Sequence, residues 1–197
     1  MLRCNDSPPG ADGQAAIPSQ WVARFAPLVP ADRSVLDLAC GSGRHSRLLL
    51  DLGLRVLAVD RDARPVRTSL GGRPGLVVLE CDLESAPPFE AGGPLEGRQF
   101  GGIVVTNYLH RPLWQGLIAA VAPGGVLIYE TFAAGNERFG RPSNPAFLLR
   151  PGELLEAVSG RLEVVAYENG IVDVPKPAAI QRICARRPVD AVPCRLP

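Results

Sequence analysis

Three aspartates stand at or near the ends of apolar runs of strand length, and a glycine turn follows the first run. Asp37 lies in SVLDLA, Asp60 ends RVLAVD, and Asp82 comes just after GLVVLE. Gly41 and Gly43 precede a segment with helical periodicity. Because open α/β sheets bind ligands beyond the carboxyl ends of their strands, this spacing predicts three carboxylates around one glycine turn in a ligand site.

A dinucleotide such as NAD matches this arrangement poorly. Its pyrophosphate requires a glycine turn of the form G-x-G-x-x-G at the start of a helix, and the third glycine is missing here. Asp37 would also stand close to the anion, and two like charges about 4 Å apart repel by about 4 kcal/mol at an effective dielectric of about 20. A nicotinamide cofactor therefore requires compensation by Arg44.

S-Adenosylmethionine has the complementary chemistry. It has no phosphate, it carries a sulfonium and an ammonium group, and its ribose hydroxyls and adenine amino group donate hydrogen bonds. Asp37, Asp60 and Asp82 suit the ammonium, the ribose and the adenine in that order. The glycines allow the backbone to approach the methionine part closely. The residues therefore predict S-adenosylmethionine as the cofactor.

The motifs, in this order, resemble those of the class I S-adenosylmethionine-dependent methyltransferases over residues 19–187. The stretches DLACGSGR, AVDRD, CDLE and APGGVLIYETF match the family's glycine motif, its second and third acidic segments and its Pro-Gly-Gly strand. DLACGSGRHS, NYLHRPL and GNERFGRPSNPAFLLRPGEL together resemble, more narrowly, the tellurite-resistance-like small bacterial methyltransferases. Ala39 and Arg44 depart from the family pattern, because they replace its first and third glycines.

The resemblance implies a cofactor site formed by the glycine turn, the strand ends and the segment after the fourth strand. Arg44 is expected to bind the methionine carboxylate or the substrate, or to be a solvated residue of the first helical turn. The thiol of Cys40 is expected to pack rather than react. The implied cofactor-binding residues are Asp37, Ala39, Cys40, Gly41, Gly43, Arg44, Asp60, Arg61, Asp82, Leu83 and Asn107.

The family places substrate-facing residues after the fourth strand, which corresponds here to TNYLHRPL. Methyl transfer from a sulfonium is an in-line displacement, so a base is needed only where the acceptor must lose a proton. His110 is the candidate base, because an imidazole has an ordinary pKa of about 6.5, and Tyr108 is a candidate catalytic or wall residue. The alternative is that His110 only caps or packs beside the helix that begins at Pro112. His45 is expected to be structural.

The segment from residue 133 to residue 150 follows the fifth strand and is rich in glycine, proline and arginine. This position allows it to fold over the site, where Arg138 and Arg141 are candidates for binding an anionic acceptor. Glu130, at the strand end, is expected to face the same cavity or to pair with one of these arginines. The alternative is a solvated loop.

Five apolar runs of strand length must position these residues, at 34–39, 55–60, 75–80, 101–107 and 124–132. Continuous rather than alternating apolar runs indicate strands buried on both faces. Two β-rich runs near the end of the chain are joined by DVPKP, which is too short for a parallel crossover. The predicted fold is therefore α/β and Rossmann-like: a seven-stranded, mostly parallel sheet with helices on both faces and an antiparallel last strand.

Helices are predicted between the strands and before the first of them. PSQWVARFAPLVP predicts a short amphipathic helix capped by Ser19, and RHSRLLLDLG predicts a helix after the glycine turn. RPLWQGLIAAVAPGG predicts a helix closed by its two glycines. RPGELLEAVSG predicts the helix before the last two strands.

Length and composition limit the class of protein. The 197 residues predict one domain at 19–187, with flexible tails at 1–18 and 188–197. Twenty-one basic against twenty acidic side chains give a net charge of +1, so bulk charge indicates neither nucleic acid nor membrane as a partner. The five cysteines form no CxxC pair, which disfavours a disulfide framework or a zinc site. Without a long apolar segment, the chain is expected to be cytoplasmic.

The sequence therefore predicts a methyltransferase that acts on a small-molecule acceptor, because the chain carries no added recognition domain. A protein or RNA methyltransferase, an NAD(P)-dependent oxidoreductase and a non-catalytic cofactor-binding protein stay open as alternatives. The sequence predicts no metal site and does not indicate an oligomeric state.

Overall fold

The computed structural model describes residues 17–189 and 197. Seven strands form its centre: β1 (Val35–Leu38), β2 (Val56–Asp60), β3 (Leu76–Glu80), β4 (Phe100–Thr106), β5 (Val121–Phe132), β6 (Glu163–Val172) and β7 (Ala178–Arg186). They form one sheet in the order β3-β2-β1-β4-β5-β7-β6. The five predicted apolar runs coincide with β1 to β5.

The first five strands are parallel, and β7 is antiparallel to both β5 and β6. Only residues 173–177 separate β6 from β7, which is enough for a hairpin but not for a crossover. The predicted fold class is confirmed, including the antiparallel last strand.

Helices cover both faces of the sheet: α1 (Gln20–Phe25), α2 (Arg44–Asp51), α3 (Arg64–Leu70), α4 (Trp114–Ala119) and α5 (Glu153–Val158). The first three helices bury their apolar side chains in one core, on the sheet face that carries Val35. The last two helices do so on the opposite face, which carries Leu36. The alternation of neighbouring residues across a strand therefore produces two apolar cores, one on each side.

The predicted caps and helix boundaries are largely confirmed, with one exception. Ser19 caps α1, because its Oγ accepts hydrogen bonds from the backbone N–H groups of Trp21 (3.1 Å) and Val22 (3.5 Å). The helix predicted to run to the glycines at 124 and 125 is wrong at its end, because α4 stops at Ala119 and Val121 already pairs with Phe100.

The chain's own chemistry explains this difference. Pro123 cannot continue a helix, and Gly124 has a positive φ of 78°. A Cβ on Gly125 would lie 2.8 Å from the carbonyl oxygen of Phe100, so only glycine allows β5 to begin this close to β4. The Pro-Gly-Gly motif therefore lies near the start of β5 and does not end α4.

The predicted tails fall largely on residues 1–16 and 190–196, which lie outside the described residues. Within the described part of the chain, no helix has the length and apolar character needed to cross a membrane.

Candidate functional site

The strand order reverses between β1 and β4, and each of these two strands is followed by a residue with a strained backbone. Ala39 (φ 55°) follows β1 and Asn107 (φ 54°) follows β4, and within the described residues only these two non-glycine residues have positive φ. Left-handed backbone costs a residue with a Cβ about 1–2 kcal/mol, and such strain concentrates at functional sites. In open α/β sheets this switch point is where ligands bind.

The two glycines of the turn, Gly41 and Gly43, have different structural roles. Gly41 has a φ of 56°, and a Cβ added to it would meet no atom within 4 Å, so it borders open space. Gly43 has a φ of 82° and begins α2, and a Cβ there would lie 2.8 Å from the side chains of both Val66 and Leu70. Gly41 therefore keeps the mouth of the turn open, whereas Gly43 allows α2 and α3 to pack closely.

Asp60 fastens this turn to the end of β2. Its Oδ2 accepts a hydrogen bond from the backbone N–H of Gly41 (2.8 Å), and its Oδ1 accepts one from Asp62 (3.1 Å). Each carboxylate oxygen has a second lone pair, so both oxygens can still accept a hydrogen bond from a ligand. The neighbouring side chain of Arg61 is exposed.

Asp37 is shielded from solvent rather than open to the turn. Only 2% of the residue is exposed, and its Oδ2 accepts a hydrogen bond of 2.6 Å from the hydroxyl of Ser46 in α2. Burial raises the pKa of Asp37 to about 6, although the Ser46 hydrogen bonds lower it. The carboxylate that was predicted to contact a ligand ammonium therefore lies buried beneath the turn.

Cys40 packs as expected. The residue is buried, and its thiol lies 3.9 Å from the carbonyl oxygen of Gly41. Burial, with added repulsion from Asp37 and Asp60, raises the pKa of this thiol well above its usual range. The thiol is therefore protonated and unreactive at neutral pH.

The end of β3 brings an exposed acid next to a tyrosine. Asp82 is exposed, and its Oδ1 accepts a hydrogen bond from the backbone N–H of Glu84 (3.0 Å), while Leu83 packs into the core. The hydroxyl oxygen of Tyr108 is buried. Burial raises the pKa of Tyr108, and the nearby Glu84, Tyr129 and Asp82 raise it further. Tyr108 therefore lies toward the end of β3 that the sequence assigned to adenine.

Arg44 and His45 join the start of α2 to the segment before α1. The guanidinium of Arg44 donates to the carbonyl oxygen of Ile17 (3.5 Å), and the Nε2 of His45 accepts from the N–H of Ser19 (3.1 Å). With Nε2 accepting, Nδ1 carries the proton and donates to the hydroxyl of Thr106 (3.3 Å). Burial, followed by the charge of Arg44, lowers the pKa of His45 to about 3. His45 is therefore a neutral structural link between three elements.

Arg44 is only partly exposed, not fully solvated. Burial lowers its pKa, and attraction to Glu130 and Asp37 opposes that effect. No carboxylate of the described residues forms a salt bridge with it. Its guanidinium therefore retains donors that a ligand carboxylate could use.

Glu130 belongs to a polar row that crosses four strands on the α1 face. Thr106, Glu130, Arg182 and Glu168 are paired in register on β4, β5, β7 and β6. Arg182 donates to Glu130 (3.2 Å) and to Glu168 (2.5 Å), and its guanidinium lies 4.8 Å from the ring centre of Trp21. Glu130 therefore pairs with Arg182, not with the loop arginines that were expected.

Arg182 was not among the residues predicted for the site. A charged side chain within the otherwise apolar stretch AAIQRICARR was the available signal. Buried charges require partners, so this arginine indicated a carboxylate on the neighbouring strands.

The acceptor-side candidates stand on the segment after β4. The side chain of Asn107 is half-buried and forms no hydrogen bond with any residue that the structure describes. Its backbone N–H donates to the carbonyl oxygen of Glu130 (2.9 Å). His110 is half-buried and precedes a short 3-10 helix at Arg111–Leu113, with which its imidazole forms no capping hydrogen bond. Both side chains are therefore free to contact a ligand.

The loop from residue 133 to residue 150 is held at its base. Ala133 and Leu149 form a bridge, and buried Asn136 donates to the carbonyl oxygen of Pro142 (3.0 Å) and accepts from the N–H of Ala179 (3.2 Å). The guanidiniums of Arg138 and Arg141 are exposed, with no ion pair to the described residues.

Among the described residues, no group of three or more histidine, cysteine or acidic side chains is placed to hold a metal ion.

Comparison with known proteins identifies the fold. No family model matches the sequence, and no curated protein matches it. Among solved structures, TehB from Haemophilus influenzae superimposes with a TM-score of 0.69 at 19% identity, covering 88% of this chain and 63% of TehB. The chain thus spans less than two thirds of that protein's length.

Two methyltransferases of closer overall length have the same fold. NodS, an N-methyltransferase from Bradyrhizobium japonicum WM9, gives a TM-score of 0.61 at 14% identity, with coverage of 83% of this chain and 92% of NodS. The glycopeptide N-methyltransferase MtfA, complexed with S-adenosylhomocysteine, gives 0.59 at 17% identity, with coverage of 85% and 89%. The chain has the Rossmann-like fold of the class I S-adenosylmethionine-dependent methyltransferases.

Proposed function

We propose that this protein transfers a methyl group from S-adenosylmethionine to a small-molecule acceptor. One observation carries the proposal: the open glycine turn at the switch point is fastened to Asp60, whose two oxygens both retain accepting capacity. The fold supports it, because MtfA has been crystallised with S-adenosylmethionine and with sinefungin as well as with S-adenosylhomocysteine.

The residues around the turn fit the parts of this cofactor. The space beside Gly41 suits the methionine chain, because a side chain there would fill it. Asp60 suits the ribose diol, and exposed Asp82 suits the adenine amino group. Arg44 is placed to donate to the methionine carboxylate, while the buried carboxylate of Asp37 adds negative potential beneath the cationic end. Tyr108 is proposed to lie near the adenine, together with Asp82, and is not proposed as a catalytic residue.

The bound cofactor supplies an electrophilic methyl group on a good leaving group, so the chain's main tasks are alignment and exclusion of water. The free carboxamide of Asn107 is proposed to orient the acceptor atom at the switch point. His110, three residues further on, is proposed to accept the acceptor's proton on a neutral ring nitrogen where the acceptor is a thiol, amine or hydroxyl. The exposed Arg138 and Arg141 are proposed to attract acidic acceptors to this side.

A small acceptor is favoured over a macromolecule by the balance of charge. The net charge of +1 gives no bulk attraction to RNA, and the loop arginines are few and scattered. Binding of RNA that weakens steeply with salt would reassign the acceptor without changing the cofactor.

Calorimetric titration tests the proposal most directly. We expect S-adenosylmethionine and S-adenosylhomocysteine to bind and NAD not to bind. Asp60→Asn leaves one of the two backbone N–H groups without an acceptor and removes a charge from the ribose site, so we expect affinity for both sulfur ligands to fall roughly 10-fold to 100-fold. Asp62→Asn, which removes an exposed carboxylate two residues away, is the matched control and should retain affinity.

Two results would contradict the proposal. Binding of NAD without any response to the sulfur ligands would assign the site to a dinucleotide. Equal affinity of Asp60→Asn and Asp62→Asn would mean that the ribose site is misplaced.

A further inference from the structure

We infer that Arg111 is a positioning residue that joins the two segments predicted to face the acceptor. One segment is residues 107–110, after β4, and the other is residues 144–150, the returning half of the loop after β5. The role in turnover rests on the proposed function, whereas the mechanical link between the segments does not.

The side chain of Arg111 forms hydrogen bonds with residues that lie far from it in sequence. Its Nη1 donates to the carbonyl oxygen of Ala146 (2.8 Å), and its Nη2 donates to that of Leu148 (2.9 Å). Its Nε and Nη2 also donate to the two carboxylate oxygens of Glu153, at 2.6 and 3.0 Å. One guanidinium thus holds two loop carbonyls and the first residue of α5.

Glu153 completes the link from the other side. It is 4% exposed and also accepts a hydrogen bond of 2.7 Å from the backbone N–H of Arg150. Burial raises the pKa of Glu153, but the hydrogen bonds from Arg111 and Arg150 outweigh it and leave the pKa below its ordinary value. The carboxylate is therefore ionised at neutral pH and fixes the plane of the guanidinium.

The end of this half is also held from β7, because the side-chain amide of Gln181 donates to the carbonyl oxygen of Arg150 (2.9 Å). Asn136 secures the outgoing half, and the bridge between Ala133 and Leu149 closes the base. Within residues 144–148, the two backbone carbonyls that accept from a side chain outside the loop both accept from Arg111, among the residues that the structure describes. Because Arg111 directly follows His110, any shift of this half is transmitted to the acceptor-side segment.

The link requires arginine rather than a positive charge alone. A guanidinium presents five donors in a rigid plane, and four hydrogen bonds in three directions use that geometry. A lysine in its place would preserve the charge opposite buried Glu153 but would not hold both carbonyls and both carboxylate oxygens. Removal of the charge would instead leave the buried carboxylate with only a longer ion pair to Arg150 (3.8 Å), which risks unfolding.

The test compares Arg111→Lys with Arg73→Lys. Arg73 forms an ion pair of 2.6 Å with Asp51, and its side chain is 37% exposed against 36% for Arg111. Hydrogen exchange is measured first and requires no substrate. We expect faster exchange in both 107–113 and 144–150 for Arg111→Lys, with no change in either segment for Arg73→Lys. Faster exchange in only one segment, or in neither, overturns the link.

Turnover is measured second, as release of S-adenosylhomocysteine with the best acceptor that the wild type methylates among small thiols, amines and phenols. We expect kcat/KM of Arg111→Lys to fall roughly 10-fold to 100-fold because the acceptor is misplaced, while affinity for S-adenosylmethionine stays within about twofold of wild type. Unchanged kcat/KM, or an equal loss of cofactor affinity, overturns the positioning role. A wild type that neither binds the cofactor nor releases product contradicts the proposed function, and the exchange result still decides the link.

Discussion

At the scale of single residues, the two glycines of the turn show how one motif combines a binding role and a packing role. Both adopt left-handed backbone, but Gly41 borders open space whereas Gly43 abuts the side chains of Val66 and Leu70. The same substitution should therefore affect different properties at the two positions.

We expect Gly43→Ala to lower the free energy of unfolding by about 2–4 kcal/mol, because overpacking against α3 adds to left-handed strain. Gly41→Ala should cost about 1 kcal/mol, from strain alone, yet weaken S-adenosylmethionine binding because its methyl group enters the proposed site. Urea unfolding and calorimetry of the two variants measure both effects. If Gly41→Ala binds normally, the cofactor does not use that space.

The residue types of this site were predictable from sequence, but the directions of their side chains were only partly so. Asp60 was predicted to lie beside the glycine turn, and it accepts a hydrogen bond from Gly41. This proximity was predictable because the carboxyl ends of parallel strands meet at the same edge of a sheet. Asp37 was placed in the mouth of the site, but β1 is buried on both faces, and no sequence pattern shows that α2 offers it the hydroxyl of Ser46. Tyr108 was predicted as a catalytic or wall residue, and the acids whose charges raise its pKa, Glu84 and Asp82, follow β3.

At the scale of elements, His45 is the point where α1, α2 and β4 meet. It accepts from Ser19 before α1 and donates to Thr106 at the end of β4 while remaining neutral. Asp37 on β1 accepts a hydrogen bond from Ser46, the residue after His45, and its pKa shifts in the opposite sense: it is raised to about 6, whereas that of His45 is lowered to about 3. The two groups therefore influence acid stability in opposite directions.

The sign of each effect follows from proton binding. For His45 the unfolded chain binds more protons than the folded one between its folded pKa of about 3 and its ordinary pKa of 6.5, so stability rises with pH in that window. For Asp37 the folded chain binds more protons between pH 3.8 and about 6, so stability falls with rising pH there.

We expect His45→Gln to isolate the contribution of His45. A glutamine can accept from Ser19 and donate to Thr106, so it preserves the link without titrating. The difference in free energy of unfolding, wild type minus variant, should rise with pH between about 3 and 6.5, by at most about 1.4 kcal/mol per pH unit, and then level off. Urea unfolding in steps of half a pH unit measures it. Parallel curves for the two proteins would show that His45 is not buried in its neutral form.

Element boundaries were less predictable than element types. The end of α4 was placed too late because Pro-Gly-Gly is typical of a helix terminus, whereas here it lets β5 approach β4. That approach depends on the backbone of another strand, so a local pattern does not contain it. The hairpin of β6 and β7 was predictable, because five residues cannot form a crossover. Its order in the sheet, with β7 against β5, depends on tertiary packing.

At the scale of the whole molecule, the proposed cofactor site depends on the assembled sheet. Its residues follow β1, β2, β3 and β4, which become neighbours only when the central parallel sheet has formed. Segments that are distant in sequence thus each contribute a carboxylate or a turn to the proposed cofactor site. A ligand at this site should consequently stabilise the folded state as a unit and have no site on the unfolded chain.

Ligand-linked unfolding therefore provides a test that does not depend on heats of binding. With S-adenosylhomocysteine at a free concentration of about 100 times its Kd, the free energy of unfolding should rise by about 2.7 kcal/mol, with an unchanged dependence on urea. NAD at the same concentration should leave it unchanged. Asp60→Asn, with affinity lowered roughly 10-fold to 100-fold, should keep only about 0.4–1.4 kcal/mol of the gain at that concentration, whereas Asp62→Asn should retain it. A ligand that instead split the transition into two steps would show that it binds one part of the sheet only, because a site shared by four strands must be lost together with their common core.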